Sequence, residues 1–219
     1  AALGRLLALF AQRVLADSGA PVQEAGSGPG LKVRDRRLFP VLVGAVLIFA
    51  AIAMVQQTLA FFVQDLQDLS TEAAAQRTGG YFALLATANL LTIAAVSRFA
   101  PPPHWAVFGG GLAGAVGALA LLAAAAWPPA LTFGLLAMGA GFGAVFPGLQ
   151  GGASLSVGRQ EQGAAAGYIS SAMAAGFILG PLLGPGLYML TPLATYSVAT
   201  VFILLGTLLA ARKIAKVAV

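Results

Sequence analysis

The sequence predicts an all-α integral membrane protein with six transmembrane helices, and three observations carry that prediction. Apolar residues fill 59% of the 219 positions. Charged residues fill 9%, against about 25% in a soluble domain, so polar groups are too few to cover a water-facing surface. The apolar residues are also gathered into six runs, each near the roughly 20 residues a helix needs to cross a bilayer. Mean hydropathy, at +0.89, agrees. The chain has no cysteine, which excludes a disulfide framework and a thiolate metal site. A formal charge of +5 is no sign of nucleic-acid binding here, because in a membrane protein the placement of the charges carries the information.

The predicted spans cover residues 39–64, 78–99, 104–126, 129–157, 163–190 and 192–211. The fourth and fifth are long enough to require tilt or kinks, with Pro147 and the pair Pro181 and Pro185 as the kink points. Residues 1–37 differ in character. Leu3, Leu6, Leu7, Phe10 and Val14 share one helical face with Arg5, Gln12 and Arg13 opposite, the pattern of an interfacial amphipathic helix or of the inner end of a preceding span. "DSGAPVQEAGSGPG" (17–30) reads as a linker, and "KVRDRR" (32–37) sets a basic cluster before the first span. The six-helix bundle is therefore expected over 38–213, with 214–219 as a tail.

Six spans alternate sides, and the charges then divide unequally. Arg5, Arg13, Lys32, Arg34, Arg36, Arg37, Arg98, Arg159, Arg212, Lys213 and Lys216 fall on one side; of the 12 basic residues, Arg77 alone falls on the other. The basic side is expected to be cytoplasmic, with both ends of the chain there. Asp65, Asp68 and Glu72 join Arg77 in an outer loop.

"GFILGPLLGPGLY" (176–188) sets four glycines and two prolines in an apolar run. Such a string suits a membrane helix pressed against another, where small residues allow close approach and neighbours satisfy the carbonyls that proline frees. Gly176, Gly180 and Gly184 share a face, and Gly163, Gly167, Ser171 and Ala172 continue a similar stripe. The stripe is either simple packing or a flexible seam that moves during transport. "GGGLAG" (109–114) follows no strand, so it is helix packing and not a phosphate loop.

No enzyme constellation is present. His104, the single histidine, stands at a span boundary without the Cys or carboxylate neighbours of a metal site. No span carries Asp, Glu, Lys or Arg near its middle, where a charge costs ~2.5–3.5 kcal/mol on insertion scales. The polar groups within spans are Gln56, Gln57, Thr58, Asn89, Thr92, Gln150, Ser154, Ser170 and Ser171. They either bond between helices or line a central cavity, with Phe61, Phe62, Tyr81 and Phe82 as apolar walls. Gln56, Gln57, Asn89, Gln150 and Phe61 are the candidate substrate contacts. Trp127 and Tyr188 read as interfacial anchors.

Gly167, Gly176, Gly180-Pro181 and Gly184 resemble the antiporter glycine–proline motif of the major facilitator superfamily, with Pro185 where that motif ends in a second glycine. In the family this motif marks the fifth helix, but other features point to the C-terminal half. "VSRFAPPPHW" after the second span keeps Arg98 alone of the family's Asp-Arg loop. The stretch 146–181 is similar to helices ten and eleven of drug and tetracycline exporters through Pro147, Leu149-Gln150, Ser154, Val157, Gln162-Gly163, Gly167 and Gly180-Pro181. A basic linker precedes the first span and a basic tail follows the last. The resemblance covers about 38–213. It implies one half of a major facilitator fold, with residues 1–37 as the end of a first half and the central loop, and with an N-terminal six-helix half outside this chain as partner. It further implies alternating-access transport of amphipathic small molecules, proton-coupled efflux, no cofactor and a bacterial inner membrane. The missing intramembrane carboxylate leaves open a second reading: a membrane subunit that scaffolds partners or handles pigments or lipids.

Overall fold

A computed structural model of the chain describes residues 31–216. The amphipathic face within 1–14, the linker 17–30 and the last three residues of the tail lie outside those described residues. Six helices follow one another: α1 Phe39–Gln67, α2 Thr71–Phe99, α3 Pro103–Ala123, α4 Pro129–Leu155, α5 Gln162–Leu190 and α6 Pro192–Ala215, with a 3-10 turn at Arg159–Glu161 before α5. All six are long and apolar enough to cross a membrane. Four of them begin with proline at the first or second position, where its missing N–H would have had no partner in any case.

One boundary moves substantially from its sequence-predicted place. α2 begins at Thr71, not at residue 78, because Ser70 caps it: the Ser70 hydroxyl accepts from the Ala73 N–H at 3.3 Å, and Glu72 sits in the positive first turn. The 29 residues of α2 extend to about 44 Å, beyond the ~30 Å hydrocarbon core. Its polar first turns therefore project past the bilayer, and a hydropathy reading loses them. Glu72 and Arg77 are helical residues of α2, and Asp65 lies within α1; only Asp68, in the left-handed conformation at φ 47°, stands in the connection. α6 likewise runs on to Ala215, two residues into the expected tail.

The pairing of helices has a two-fold pattern. α1 packs along α5 and α6, α4 packs along α2 and α3, and α3 meets α6; α1–α2 and α4–α5 touch lightly. Exchanging α1–α3 for α4–α6 leaves these pairings unchanged, although α5 also touches α6 lightly and α2 and α3 make no comparable contact. Because each triplet has an odd number of spans, the two repeats run in opposite directions.

Glycine seams hold the pairs together. A Cβ placed on Gly110 would stand 2.6 Å from the Gly141 carbonyl oxygen, and one on Gly141 would stand 2.5 Å from that of Gly110. Gly44 and Gly206 repeat the arrangement between α1 and α6, at 2.6 and 2.7 Å. Backbones this close gain van der Waals contact that larger side chains would forbid, which is the main cohesive term available inside lipid. Apolar side chains fill the space on either side of the seams. Val41, Phe49, Val107, Leu149 and Ile169 form one cluster, and Val55, Leu59, Phe62, Leu135 and Tyr196 form a second.

Several hydroxyls in the bundle turn back on their own helices, while Thr195 of α6 donates to the Gly184 carbonyl of α5 at 3.2 Å. Thr58, Thr78, Thr87, Ser156, Ser171 and Thr200 each donate to the carbonyl four residues earlier, at 2.7 to 2.9 Å. A threonine or serine can thus be satisfied without any neighbouring helix. A side-chain amide cannot do this so simply, which keeps attention on the glutamines and Asn89.

At the basic end of the bundle, residues 31–38 dock across α1 and α5. Leu31 is buried, and Tyr168 of α5 donates its hydroxyl to the Leu31 carbonyl at 2.7 Å. Arg37 pairs with Asp35 at 2.9 Å and with Glu161 at 3.3 Å. The Arg37 hydrogen bonds hold the Asp35 carboxyl below its ordinary value. These ion pairs are exposed and add little stability themselves; the buried leucine does more to fix the segment.

Candidate functional site

Three residues of α1 lie four apart and share one helical face: Gln57, Phe61 and Asp65. All three are exposed. Tyr188 of α5 reaches this strip from the side. Its hydroxyl donates to Asp65 Oδ2 at 2.5 Å, and its ring packs on Phe61 with centroids 6.2 Å apart. A polar and aromatic strip, Gln57–Phe61–Asp65 with Tyr188, thus runs along the α1–α5 junction. Tyr188, expected to be an anchor at the membrane surface, also bridges two helices. Asp65 was missed as a site residue because it was assigned to a loop. The signal was its i,i+4 spacing from Phe61, which counts only if α1 continues that far.

The other sequence-predicted residues lie elsewhere. Gln56 is half-buried beside the strip, and neither it nor Gln57 hydrogen-bonds to another described residue. Asn89 is half-buried on the side of α2 that meets α4, where its backbone carbonyl lies against Gly143. Its Nδ2 is buried without a partner. No hydrogen bond joins Asn89 to Gln56 or Gln57, and α1 and α2 touch lightly. Gln150 is half-buried on α4. Of the expected aromatic walls, Phe61 is exposed, while Phe62 is buried against Tyr196 with centroids 4.7 Å apart. Tyr81 accepts from Gln67 Nε2 at 3.2 Å.

The glycine–proline residues divide into two groups. Gly176, Gly180 and Gly184 are buried against α1, and a Cβ on Gly180 would press on Ala53 Cβ and stand 2.9 Å from the Ala50 carbonyl oxygen. Gly163 and Gly167, expected to continue that stripe, have nothing within 4 Å of a Cβ. They are on a different face, because a 3.6-residue period carries a four-residue spacing steadily around the helix. α5 runs unbroken through Pro181 and Pro185, and α4 through Pro147.

The centre of the bundle is closed. Between Ile48, Gly110, Met138 and Phe142 there is a cleft of about 10 Å³, room for at most a single water. Among the described residues, no cluster of three or more His, Asp or Glu could hold a metal ion. His104 begins α3 beside Trp105, with ring centroids 5.7 Å apart.

The exposed faces differ in their share of small residues. On α3 and α6 they carry Phe108, Leu112, Val116, Leu119, Leu205 and Leu209, the large apolar side chains that suit lipid. On α2 and α5 the small residues Gly79, Gly80, Thr87, Gly163, Gly167 and Ser170 are exposed among large apolar ones such as Leu90, Leu91, Ile178 and Leu182. Of the transmembrane spans, α2 and α5 are the least enclosed. No curated protein matches the chain significantly. The profile of the Major Facilitator Superfamily matches residues 3–181, well over half of the 219 positions, and together with the six helices this shows that the chain belongs to the Major Facilitator Superfamily.

Proposed function

We propose that this chain is the C-terminal six-helix half of an alternating-access transporter that exports small amphipathic molecules in exchange for protons. Superfamily membership supports membrane transport in general. The half-transporter reading rests on one observation above all: the glycines. Gly79, Gly80, Gly163, Gly167 and Gly186 on α2 and α5 have open space where a side chain would be, as, on the other helices, only Gly109 of α3 does among the described residues, while Gly176, Gly180 and Gly184 of α5 sit in the tight seam with α1. Small residues let membrane helices approach closely, so the stretches around these glycines are suited to receive a second six-helix half. The closed interior agrees, since a substrate site then lies on the surface of this half and is completed by the other. Gln57, Phe61 and Asp65 are suited to that place: the Gln57 amide would be costly facing lipid, the Phe61 ring supplies an apolar wall, and Tyr188 holds the Asp65 carboxylate in position. Rocking of the two halves would expose the site alternately to each side.

Both ends of the chain are proposed to be cytoplasmic. The absence of native cysteine makes this simple to test. A single cysteine at Ser70 reacts with an impermeant maleimide from outside intact cells, and one at Gln160 reacts only after the membrane is opened; the reverse pattern overturns the orientation.

Recognition is tested by Gln57→Ala and Gln56→Ala in the detergent-purified intact transporter. Each leaves thermal unfolding unchanged. Each weakens some ligands by about 1 kcal/mol, roughly fivefold in Kd, and spares others, because a lost polar contact matters only to a ligand that used it. Equal losses for every ligand together with lower stability would make these amides structural and the proposed site wrong.

A further inference from the structure

Two grooves at the basic end of the bundle share one residue, Arg212 of α6. The first, about 310 Å³, lies along α6 itself and is lined by Leu205, Leu208, Leu209, Arg212, Lys213 and Lys216. The second, about 250 Å³, lies between α3 and α6 and is lined by His104, Trp105, Phe108, Ala211, Arg212 and Ala215. Among the described residues, no carboxylate lines either one. Arg212, Lys213 and Lys216 form no ion pair with a described residue; Lys213 acts on Asp35 through its charge, but that carboxylate is already bonded to Arg37. His104 Nδ1, in the wall of the second groove, is buried without a hydrogen-bond partner.

The two ends of the first groove differ in chemistry. Three cations crowd its mouth. Its floor is leucine, and from Arg212 to Leu205 it descends seven residues, about 10 Å along the helix, from the level of the cations toward the hydrocarbon. Trp105, with 61% of its surface exposed, stands beside the second groove at the depth where aromatic residues favour the membrane interface. Cations above a leucine-lined channel on an exposed apolar helix face match an anionic headgroup joined to acyl chains. A soluble anion would use the cations and leave the leucines idle. Cations at the end of a span can also simply reach for the interface with no bound lipid. What distinguishes this place is the pair of grooves, one on each side of Arg212, and the unpartnered histidine.

We propose that these grooves form a binding site for an anionic phospholipid of the adjacent leaflet, its headgroup held by Arg212, Lys213 and Lys216 and its chains lying along Leu205, Leu208 and Leu209. The site is on α3 and α6, away from the α2 and α5 faces, and it does not depend on the transport reading. A lipid held there would fix the end of α6 against α3.

Trp105 reports on the site directly. The chain has two tryptophans, so Trp127→Phe leaves Trp105 as the single fluorophore. The full chain is placed in bilayers of uncharged lipid containing a minor fraction of brominated phosphatidylglycerol or, separately, brominated phosphatidylcholine. Phosphatidylglycerol is expected to quench Trp105 several-fold more strongly and saturably. The triple variant R212Q/K213Q/K216Q is expected to lose the preference, and so is Leu208→Trp read with a bromine-independent lipid competition assay, since it fills the groove and keeps the charges. Inorganic phosphate and glycerol phosphate are expected not to compete. Equal quenching by both lipids, a preference that survives the triple variant, or competition by soluble phosphate overturns the site. A preference that survives Leu208→Trp reduces it to cations at the surface and overturns the groove. Circular dichroism of each variant confirms that the helices are retained.

Discussion

Replacing Gly180 with leucine is expected to separate α5 from α1 and to lower the stability of the bundle more than any other single change considered. A Cβ alone would already press on Ala53 Cβ and stand 2.9 Å from both the Ala50 carbonyl oxygen and the Met54 nitrogen. Two of those three neighbours are backbone and cannot rotate away. Overpacking costs typically 1–3 kcal/mol where side chains can adjust, and about 3 kcal/mol or more is expected here. Gly180→Ala should fall between wild type and Gly180→Leu. Gly167→Leu is the internal contrast: the same substitution, on the same helix, where nothing lies within 4 Å, should leave the unfolding of this chain unchanged. Thermal unfolding in detergent distinguishes them. Equal destabilisation at positions 167 and 180 would mean that the α1–α5 seam is not what the glycines serve.

A second large effect concerns transport. In liposomes, residues 1–219 alone are expected to move no substrate against a gradient, because the closed interior offers no path and the polar strip of α1 lies on an open surface. Co-expression with a complementary six-helix half should restore uptake from none to a measurable rate. Active transport by the isolated chain would refute the half-transporter reading and leave the six helices as a complete carrier. Binding of partners without any transport, in the restored pair, would instead favour a scaffolding subunit.

Much of the fold was legible in the composition. Five of the six span starts are set by a proline, a glutamine-glycine step or an aromatic entry that hydropathy locates well, and the structure begins those helices within a residue or so of where the sequence predicts. The start of α2 was not legible that way, because "TEAAAQR" reads as a loop unless the Ser70 cap is given more weight than the charges. The seam around Gly176, Gly180 and Gly184 followed from spacing alone. Its supposed continuation at Gly163 and Gly167 did not, because over several turns a four-residue spacing drifts off the face where it began. The strip on α1 was half legible: Gln57 and Phe61 were named from their polarity and aromaticity, while Asp65 depended on knowing that the helix continues past residue 64. Its link to Tyr188, 123 residues away in the chain, depends on α1 packing along α5, a pairing that no local pattern encodes. The docking of Leu31 under Tyr168 was hidden for the same reason.

The central claim is that α2 and α5 face another protein body while α3 and α6 face lipid. Single cysteines at Gly167 and Leu205 carrying a fluorophore test it most directly, in the intact transporter reconstituted into brominated lipid. The account predicts that the label at 205 is strongly quenched and the label at 167 is protected. Equal quenching at the two positions would contradict it.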